Sequence, residues 1–322
     1  MIITRSPFRL SFFGGSSDYK EFYQEHGSFL IGTTIDKYNY ISIRTRPDIM
    51  PRKSVVVYSK LEEVADFNEI SNPLIRETLK YLAPDVPIEF TSFTDIPGRT
   101  GLGGSSSYCV GLCLALRKLL GLPFDKRTLA KDAIKIEREI LQEAGGIQDQ
   151  IWAAYGGLNS ININIDGSFS VRPLPLTSDF TAEFERSIVM LYTGGGRFSN
   201  DIAKAHENKD KTKILKLAED AYPAFVDEDI PTIGALLYET WKEKEKISPI
   251  ISTQKIGGVI QQVMDMGAYG AKLIGGGGCG FIMVLCNPKV KKKIMETFPH
   301  MTLDITFDKE GAMEVYTPKL RS

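Results

Sequence analysis

The segment PGRTGLGGSSSYCVG, residues 97–111, places five glycines and three consecutive serines at the start of a long apolar run. Each glycine inside a regular element costs about 0.5–1 kcal/mol relative to alanine, so such a cluster needs a geometric reason. One reason is a plain turn with serine helix caps. The other is a loop whose free backbone N–H groups, together with the positive end of the following helix, bind a phosphate. A Walker-type loop is excluded because the chain contains no Gly-Lys-Ser/Thr sequence.

A second glycine-rich stretch, GGGGCG at residues 275–280, matches the G-x-G-x-x-G pattern of dinucleotide-binding folds. Those folds require a helix after the glycines, whereas the segment FIMVLC that follows here predicts a strand. We therefore interpret the stretch as a loop between two strands. Such a loop lets a ligand or another backbone approach closely, or it forms a tight hairpin packed against the neighbouring domain.

Hydrophobic periodicity predicts an α+β protein in which strands dominate the first part of the chain. The predicted elements of this part are strands over 2–13, 54–58, 86–93 and 157–166, a hairpin over 28–47 that turns at Asp36-Lys37, and helices over 72–82, 105–120 and 125–143. Helices dominate after about residue 180. They are predicted over 199–208, 211–225, 230–246 and 254–266.

The tail of the chain predicts a strand over 270–274, a glycine loop, a strand over 281–286, a helix over 288–298 and a strand over 302–307. Together with the helix before it, this order is most of a ferredoxin-like split βαβ unit. We place a domain boundary in the polar, proline-containing stretch 166–181. The predicted domains are residues 1–175 and 176–322.

Charge and composition limit the possible partners. The 39 basic and 40 acidic side chains give a net charge of -1, which argues against a nucleic-acid or anionic-membrane surface. Arg5 and Arg9 interrupt the apolar residues at the amino terminus, and no later stretch is long enough for a membrane span. The four cysteines show no zinc-site spacing and suit a reducing compartment. We predict a cytoplasmic protein.

Glu137 is the most informative polar residue, because it lies within the apolar stripe of the predicted helix 125–143. The stripe consists of Ala130, Ala133, Ile134, Leu141 and Ala144. A carboxylate on the core-facing side must pair with a cation or bind a metal. A structural salt bridge and a Mg²⁺ site both remain possible, since Mg²⁺ binds one or two carboxylates plus phosphates and a hydroxyl.

Two further carboxylates lie beside glycine breaks. In GGIQDQIWAAYGG, Asp149 follows Gly145-Gly146 and precedes a short helix, where it is either a helix cap or a functional group. In RSPFRLSFFGGSSDY, Asp18 follows a Gly-Gly break and two serines. This segment either binds the hydroxyl groups of a sugar or closes an Asx turn.

The chain resembles the GHMP kinases over its whole length, and among them the bacterial D-glycero-α-D-manno-heptose 7-phosphate kinases. Three motifs carry the resemblance in the family's order: SPFRLSFFGGSSD, PGRTGLGGSSS and GAKLIGGGGCGFIMVL. QDQ with the preceding Glu-Arg pair, and YTGGGRFS at 192–199, support it. The resemblance implies an α+β fold with an N-terminal domain like domain 2 of ribosomal protein S5 and a ferredoxin-like C-terminal domain.

The resemblance also implies roles for individual residues. Asp149 would be the catalytic base, and Arg9 would lie beside it and favour its ionised form. The triphosphate of ATP would bind the loop made of Pro97, Gly98, Gly101, Leu102, Gly103, Gly104, Ser105, Ser106 and Ser107. Mg²⁺ would bind Glu137 and Ser105, with Ser106 as the alternative hydroxyl. The substrate would contact Gly15, Ser16, Ser17, Asp18, Arg197, Gly276 and Gly277.

The implied activity is transfer of the γ-phosphoryl group of ATP, with Mg²⁺, to the anomeric hydroxyl of a heptose 7-phosphate, in a monomer or homodimer. Fucose, galactose or a mevalonate-type alcohol is the alternative acceptor, and a non-catalytic sugar- or nucleotide-binding regulator is the alternative class. Galactokinases carry Glu-His where this chain has glycine and serine at 14–17, which counts against galactose. A heptose 7-phosphate needs a second anion site. The candidates are Arg5, Lys37, Arg99, Arg197 and Lys272.

Overall fold

A computed structural model describes residues 1–47, 49, 53–83, 86–98, 100–194, 209–247, 253–275 and 278–317. The helices are α1 (Lys20–His26), α2 (Pro73–Leu82), α3 (Gly104–Leu119), α4 (Lys126–Ile134), α5 (Gln148–Tyr155), α6 (Ser178–Ser187), α7 (Thr212–Val226), α8 (Ile230–Ile247), α9 (Gln254–Asp265) and α10 (Pro288–Thr297). The predicted helix over 199–208 lies outside the described residues.

The first sheet is formed by strands from both ends of the chain. Its strands are β1 (Ile2–Phe13), β2 (Ser28–Thr45), β3 (Ser54–Val57), β4 (Leu61–Val64), β5 (Ile88–Thr94), β6 (Asn159–Ile163), β7 (Phe169–Pro173), β12 (Phe307–Asp308) and β13 (Met313–Tyr316). The main order is β13-β1-β2-β5-β3-β4, and β6 and β12 also pair with β2. The long antiparallel pair of β1 and β2 is therefore the centre of this sheet.

The predicted hairpin over 28–47 is wrong, because β2 runs without a turn from Ser28 to Thr45. Its register against β1 shifts between Pro7, which faces Tyr38, and Phe8, which faces Ile35. The two polar residues Asp36 and Lys37 are thus the extra residues of a β-bulge. A bulge and a short turn use the same residue types, which explains the error.

Helix α3 is the buried centre of the N-terminal half. It contacts β1 and β2 on one side and α2, α4 and α5 on the others. Every residue from Cys109 to Leu116 is buried, as the apolar run predicted. Hydrogen bonds from Asn39 Nδ2 to Gly104 O and to Ser107 Oγ, each 3.0 Å long, fix the first turn of the helix against β2.

The predicted helix over 125–143 changes form before its end. The α-helix covers Lys126–Ile134, and a π-helical turn covers Lys135–Ile140. Leu141 N donates to Ile136 O, five residues back. Short π-helical turns occur frequently at functional sites, and this one contains Glu137.

The second sheet belongs to the C-terminal half. It consists of β8 (Ile188–Tyr192), β9 (Gly270–Leu273), β10 (Phe281–Leu285) and β11 (Thr302–Leu303), in the order β11-β8-β10-β9. The chain then leaves this sheet, because β12 pairs with β2 and β13 pairs with β1. Residues 307–316 therefore lie with the first sheet, although the sequence division at residue 175 assigned them to the second domain.

One hydrophobic cluster joins the two halves. Phe12 of β1 packs edge-to-face on Phe184 of α6 with ring centroids 5.4 Å apart, and Phe184 packs on Phe225 of α7 at 5.3 Å. All three side chains are fully buried. The two halves are therefore packed through a common apolar core. Among the described helices, none combines the length and apolar character that a membrane span requires.

Replacement of Phe184 by alanine tests the energetic role of this shared cluster. We expect Phe184→Ala to lower the free energy of unfolding by about 3–5 kcal/mol, because it removes a fully buried ring and leaves a cavity. Phe93→Ala is the matched control, since Phe93 is 59% exposed. Urea denaturation followed by fluorescence and circular dichroism measures both variants. Equal, small changes for the two variants would contradict the role of the cluster.

Candidate active site

A cavity of about 220 Å³ lies where the two halves meet. Its walls come from β1, the segment after it, the loop before α3, the end of the π-helical turn, the start of α5 and the C-terminal half. The residues that carry the argument below are Arg9, Ser11, Gly15, Gly101, Gly103, Ser105, Ser106, Glu137, Gln148, Asp149, Lys244, Lys272 and Gly275.

The glycine loop presents the N-terminus of α3 to this cavity. Gly103 has a left-handed backbone with φ 72° and no side chain caps the helix, so the first backbone N–H groups are free for a ligand. Ser105 is exposed beside them. The free amides and the helix dipole make this position suited to an anion such as a phosphate.

The second glycine loop packs backbone-to-backbone against the first. A β-carbon on Gly101 would lie 2.4 Å from Ile274 O, and one on Gly275 would lie 2.4 Å from the Gly101 α-carbon. Both glycines have positive φ angles, 82° and 87°. These contacts show the close approach of another backbone, and because β9 and β10 pair as an antiparallel hairpin, they fit the interpretation of a hairpin packed against the other half equally well.

Arg9 and Asp149 form a two-point ion pair across the cavity. Arg9 Nε donates to Asp149 Oδ1 at 2.7 Å, and Arg9 Nη2 donates to Asp149 Oδ2 at 2.8 Å. Arg9 Nη1 also donates to Gly101 O at 2.6 Å. The Asp149 side chain is 22% exposed, so its oxygens remain accessible from the cavity. The pair holds the Asp149 carboxylate beside the glycine loop.

Glu137 is 1% exposed and has no basic ion-pair partner within the described parts of the chain. Its Oε2 accepts hydrogen bonds from Ser106 Oγ at 2.7 Å and from Gln150 Nε2 at 2.5 Å. The salt bridge that sequence reasoning left open is thus not formed among these residues. A buried carboxylate without a cation, beside a serine hydroxyl, fits a divalent metal ion.

The donor set favours one kind of metal. No group of three or more histidine, cysteine, aspartate or glutamate residues that could hold a metal is found in the described ranges. Zinc and similar ions need such a group. Mg²⁺ does not, because it keeps water ligands and binds one or two carboxylates together with substrate phosphates. Glu137 and a serine hydroxyl therefore fit Mg²⁺ bound with a phosphate ligand.

Asp18 is fully buried and holds the start of α5 in place. Its Oδ2 accepts from Gln148 N at 3.0 Å, and its Oδ1 accepts from Ser16 N at 3.0 Å and from Gln148 Nε2 at 2.9 Å. Burial raises the pKa of this carboxyl group. A β-carbon on Gly146 would lie 1.8 Å from Oδ2. Position 146 must therefore be glycine, because a side chain there would collide with the Asp18 carboxylate.

The predicted site residues divide into three groups. Those that border the cavity are Arg9, Gly15, Ser16, Asp18, Gly101, Gly103, Gly104, Ser105, Ser106, Glu137 and Asp149. Pro97 and Gly98 are exposed outside its lining, whereas Leu102, Ser107 and Ser17 are buried in the structure around it. Arg197, Gly276 and Gly277 lie outside the described residues.

Sequence reasoning missed Lys244, which borders the cavity from α8. The signal was present, because Lys244 continues the buried stripe of Ile233, Leu237 and Trp241, as Glu137 does in its own helix. Of the basic candidates for an anion site, Lys272 borders the cavity, whereas Arg5 lies over the Tyr38 ring and Lys37 pairs with Asp36. Arg99 is outside the described residues.

A larger cavity, of about 1000 Å³, lies elsewhere in the C-terminal half, between the end of α6 and the start of α10. Its lining is mainly apolar, with Cys286 and Met295 among the residues. Burial raises the pKa of the Cys286 thiol to about 11, which leaves it unreactive. The smaller cavity is the candidate active site, because the Arg9–Asp149 ion pair and the unpaired carboxylate of Glu137 both border it.

Comparison with known proteins gives consistent matches along the chain. The family descriptions "GHMP kinases N terminal domain" and "GHMP kinases C terminal" match residues 73–157 and 221–297, about half of the chain together. The D-glycero-alpha-D-manno-heptose 7-phosphate kinase of Campylobacter jejuni is 28% identical over 96% of this chain and 97% of its own length.

Two solved structures share the fold. A D-glycero-D-manno-heptose 1-phosphate kinase from Bacteroides thetaiotaomicron has a TM-score of 0.81 and 23% identity, covering 99% of this chain and 100% of its own. A putative sugar kinase from Campylobacter jejuni has a TM-score of 0.79 and 26% identity, covering 97% of both chains. These matches confirm the α+β kinase fold that the sequence predicted.

The contact between the two glycine loops generates a stability prediction. We expect Gly101→Ala to lower the free energy of unfolding by about 1–3 kcal/mol, since the methyl group meets Ile274 O and the left-handed backbone disfavours alanine. Gly98→Ala in the same loop is the control, because a β-carbon there meets nothing within 4 Å. Thermal and urea denaturation compare the two. A Gly101→Ala protein as stable as the control would contradict the contact.

Proposed function

Because this chain belongs to the GHMP kinase family, we propose that it transfers the γ-phosphoryl group of ATP to the anomeric hydroxyl of D-glycero-α-D-manno-heptose 7-phosphate. The product would be the 1,7-bisphosphate, which is suited to later activation with a nucleotide for surface glycan synthesis. The observation that carries the proposal is the Arg9–Asp149 pair, held beside a free helix N-terminus in one cavity. Similarity to the Campylobacter jejuni heptose 7-phosphate kinase supports the choice of acceptor.

The nucleotide would bind through its phosphates. The free amides at the start of α3 donate to phosphate oxygens, and the helix dipole favours their negative charge. Phosphoryl transfer needs mainly positioning and charge neutralisation, which preorganised amides supply without further rearrangement. The exposed Ser105 adds a hydroxyl beside these amides.

Mg²⁺ would bind Glu137 together with a serine hydroxyl, and when bound it would neutralise charge on the transferring phosphate. Ser106 donates to Glu137 in this structure, whereas Ser105 is exposed at the cavity. We therefore propose that Ser106 binds Mg²⁺ together with Glu137, and that Ser105 lies nearer the phosphates of ATP. Gln150 holds the carboxylate of Glu137 from the other side.

Asp149 would accept the proton of the acceptor hydroxyl as that oxygen bonds to the γ-phosphorus. The bond from the γ-phosphorus to the bridging oxygen breaks, and ADP leaves with the electron pair. Arg9 holds the carboxylate in position through two hydrogen bonds. General base catalysis of this kind contributes typically about 10²–10⁴-fold.

An acceptor panel tests the proposed substrate. The wild-type protein is incubated with ATP, Mg²⁺ and one acceptor at a time, and ADP release is measured for heptose 7-phosphate, unphosphorylated heptose, fucose, galactose and mevalonate. We expect the highest kcat/KM with heptose 7-phosphate. Turnover only with unphosphorylated acceptors would contradict the substrate assignment, and turnover with none of them would contradict the kinase activity on these classes.

Replacement of Asp149 tests the proton acceptor. We expect Asp149→Asn to bind ATP as the wild type does and to lose about 10²–10⁴-fold in kcat, because the amide cannot accept the proton. Asp265→Asn is the control, since Asp265 is exposed and its side chain accepts a hydrogen bond from Gln261 on the same helix. Near-normal turnover of a correctly folded Asp149→Asn protein, checked by circular dichroism, would assign the proton to another group.

A further inference from the structure

Lys244 is a buried cation without a partner. It is 6% exposed, and no hydrogen bond or ion pair joins its ammonium group to another described residue. Burial lowers the pKa of this lysine to about 8, although the nearby charge of Asp18 opposes the shift. An unpaired ammonium group in such surroundings is costly, so an anionic ligand that reached it would stabilise the protein.

Gly15 keeps a space open in front of this ammonium group. A β-carbon on Gly15 would lie 3.0 Å from Ser11 Oγ, 3.4 Å from Lys244 Nζ and 3.5 Å from Gln148 Nε2. The φ angle of Gly15 is not positive, so the backbone itself does not require glycine. Three polar groups therefore surround the side of Gly15 that carries no side chain, and the absence of a methyl group there leaves room for an oxygen atom of a ligand to approach them.

Two neighbours of Lys244, Ser11 and Lys272, also carry buried polar groups that no matching partner in the described part of the chain balances. Ser11 Oγ is buried and has no hydrogen-bond partner. Lys272 is 1% exposed, and among the described residues its ammonium group donates to the backbone oxygens of Ser11, at 3.0 Å, and Phe12. Burial lowers the pKa of Lys272, and the charge of Lys244 lowers it further. Two buried ammonium groups that repel each other point to an anion between or beside them.

Lys244, Ser11 and Lys272 lie apart from the glycine loop, because Ser11 is farther along β1 than the residues that contact this loop. Ser107 Oγ donates to Ser6 O, and Arg9 Nη1 donates to Gly101 O, so β1 passes the loop before it reaches Ser11. Ser11 lies on the same face of the strand as Arg9, about 7 Å farther along. Ser11 is thus two residues along β1 from Arg9, the residue that holds Asp149.

We propose that Lys244, together with Ser11 and Lys272, binds the phosphate monoester of the acceptor and thereby selects phosphorylated acceptors. This inference rests on the proposed kinase function and names the part of the site that sets its specificity. The γ-phosphate of ATP has the same chemistry, but the glycine loop already provides amides for it on the other side of Arg9. Measuring KM for the acceptor and KM for ATP separately shows which of the two phosphates Lys244 binds.

Lys244→Met tests the proposal, because methionine fills a similar volume without the charge. With heptose 7-phosphate as acceptor, we expect KM for the acceptor to rise about 10- to 100-fold, as for loss of a charged hydrogen bond, while KM for ATP is unchanged. Activity with unphosphorylated heptose stays as low as in the wild type. Lys246→Met is the matched control on the same helix, since the Lys246 side chain is 68% exposed.

Gly15→Ala provides a second, independent variant. Its methyl group would lie between Ser11, Lys244 and Gln148, so it narrows the space through which a ligand oxygen approaches these groups without removing a charge. We expect the same selective rise in KM for heptose 7-phosphate. Isothermal titration of heptose 7-phosphate without ATP measures the loss of affinity of both variants independently of turnover.

The outcomes separate this inference from the proposed function. If the wild type phosphorylates heptose 7-phosphate but Lys244→Met changes KM for ATP, or changes neither KM, the inference is wrong and the function stands. If the wild type prefers another phosphorylated acceptor and Lys244→Met raises KM for that one, the heptose assignment is wrong and the inference stands. A lower melting temperature of Lys244→Met with unchanged acceptor KM would indicate a structural role and overturn the inference.

Discussion

The ion pair between Arg9 and Asp149 connects three segments that are far apart in the sequence. Arg9 belongs to the central strand of the first sheet, Asp149 to the first turn of α5, and Gly101, whose carbonyl oxygen Arg9 also contacts, to the glycine loop. Each contact fixes the others, because the planar guanidinium group donates in several directions at once. The proposed proton acceptor and the glycine loop are thus held in one geometry by a single side chain.

The glycines of the two loops explain why the active site needs both halves of the chain. Gly101 and Gly275 touch through their backbones, and a β-carbon on Gly280 would lie 2.4 Å from Thr100 O. The C-terminal half therefore supports the loop directly. It also supplies Lys244 and Lys272, two buried lysines that border the same cavity. The proposed nucleotide loop and the proposed acceptor-phosphate lysines therefore border one cavity.

Periodicity predicted most elements because burial on one face determines both helices and strands. The same reasoning identified Glu137 from its apolar stripe, and it would have identified Lys244 had basic residues been examined in the same way. The bulge at Asp36 and Lys37 and the return of residues 307–316 to the first sheet depend on pairing with distant strands, which no local pattern encodes. The hydrogen bond from Ser106 to Glu137 likewise joins two helices, which no local pattern encodes.

A crystal structure with Mg²⁺ and a non-hydrolysable ATP analogue tests most directly whether the glycine loop is the nucleotide site. We predict that the triphosphate contacts the backbone amides at the start of α3, with the metal ion bound by Glu137 and a serine hydroxyl, and with Asp149 open to the acceptor side. A triphosphate bound away from Gly103, in particular in the larger cavity beside Cys286, would contradict this arrangement.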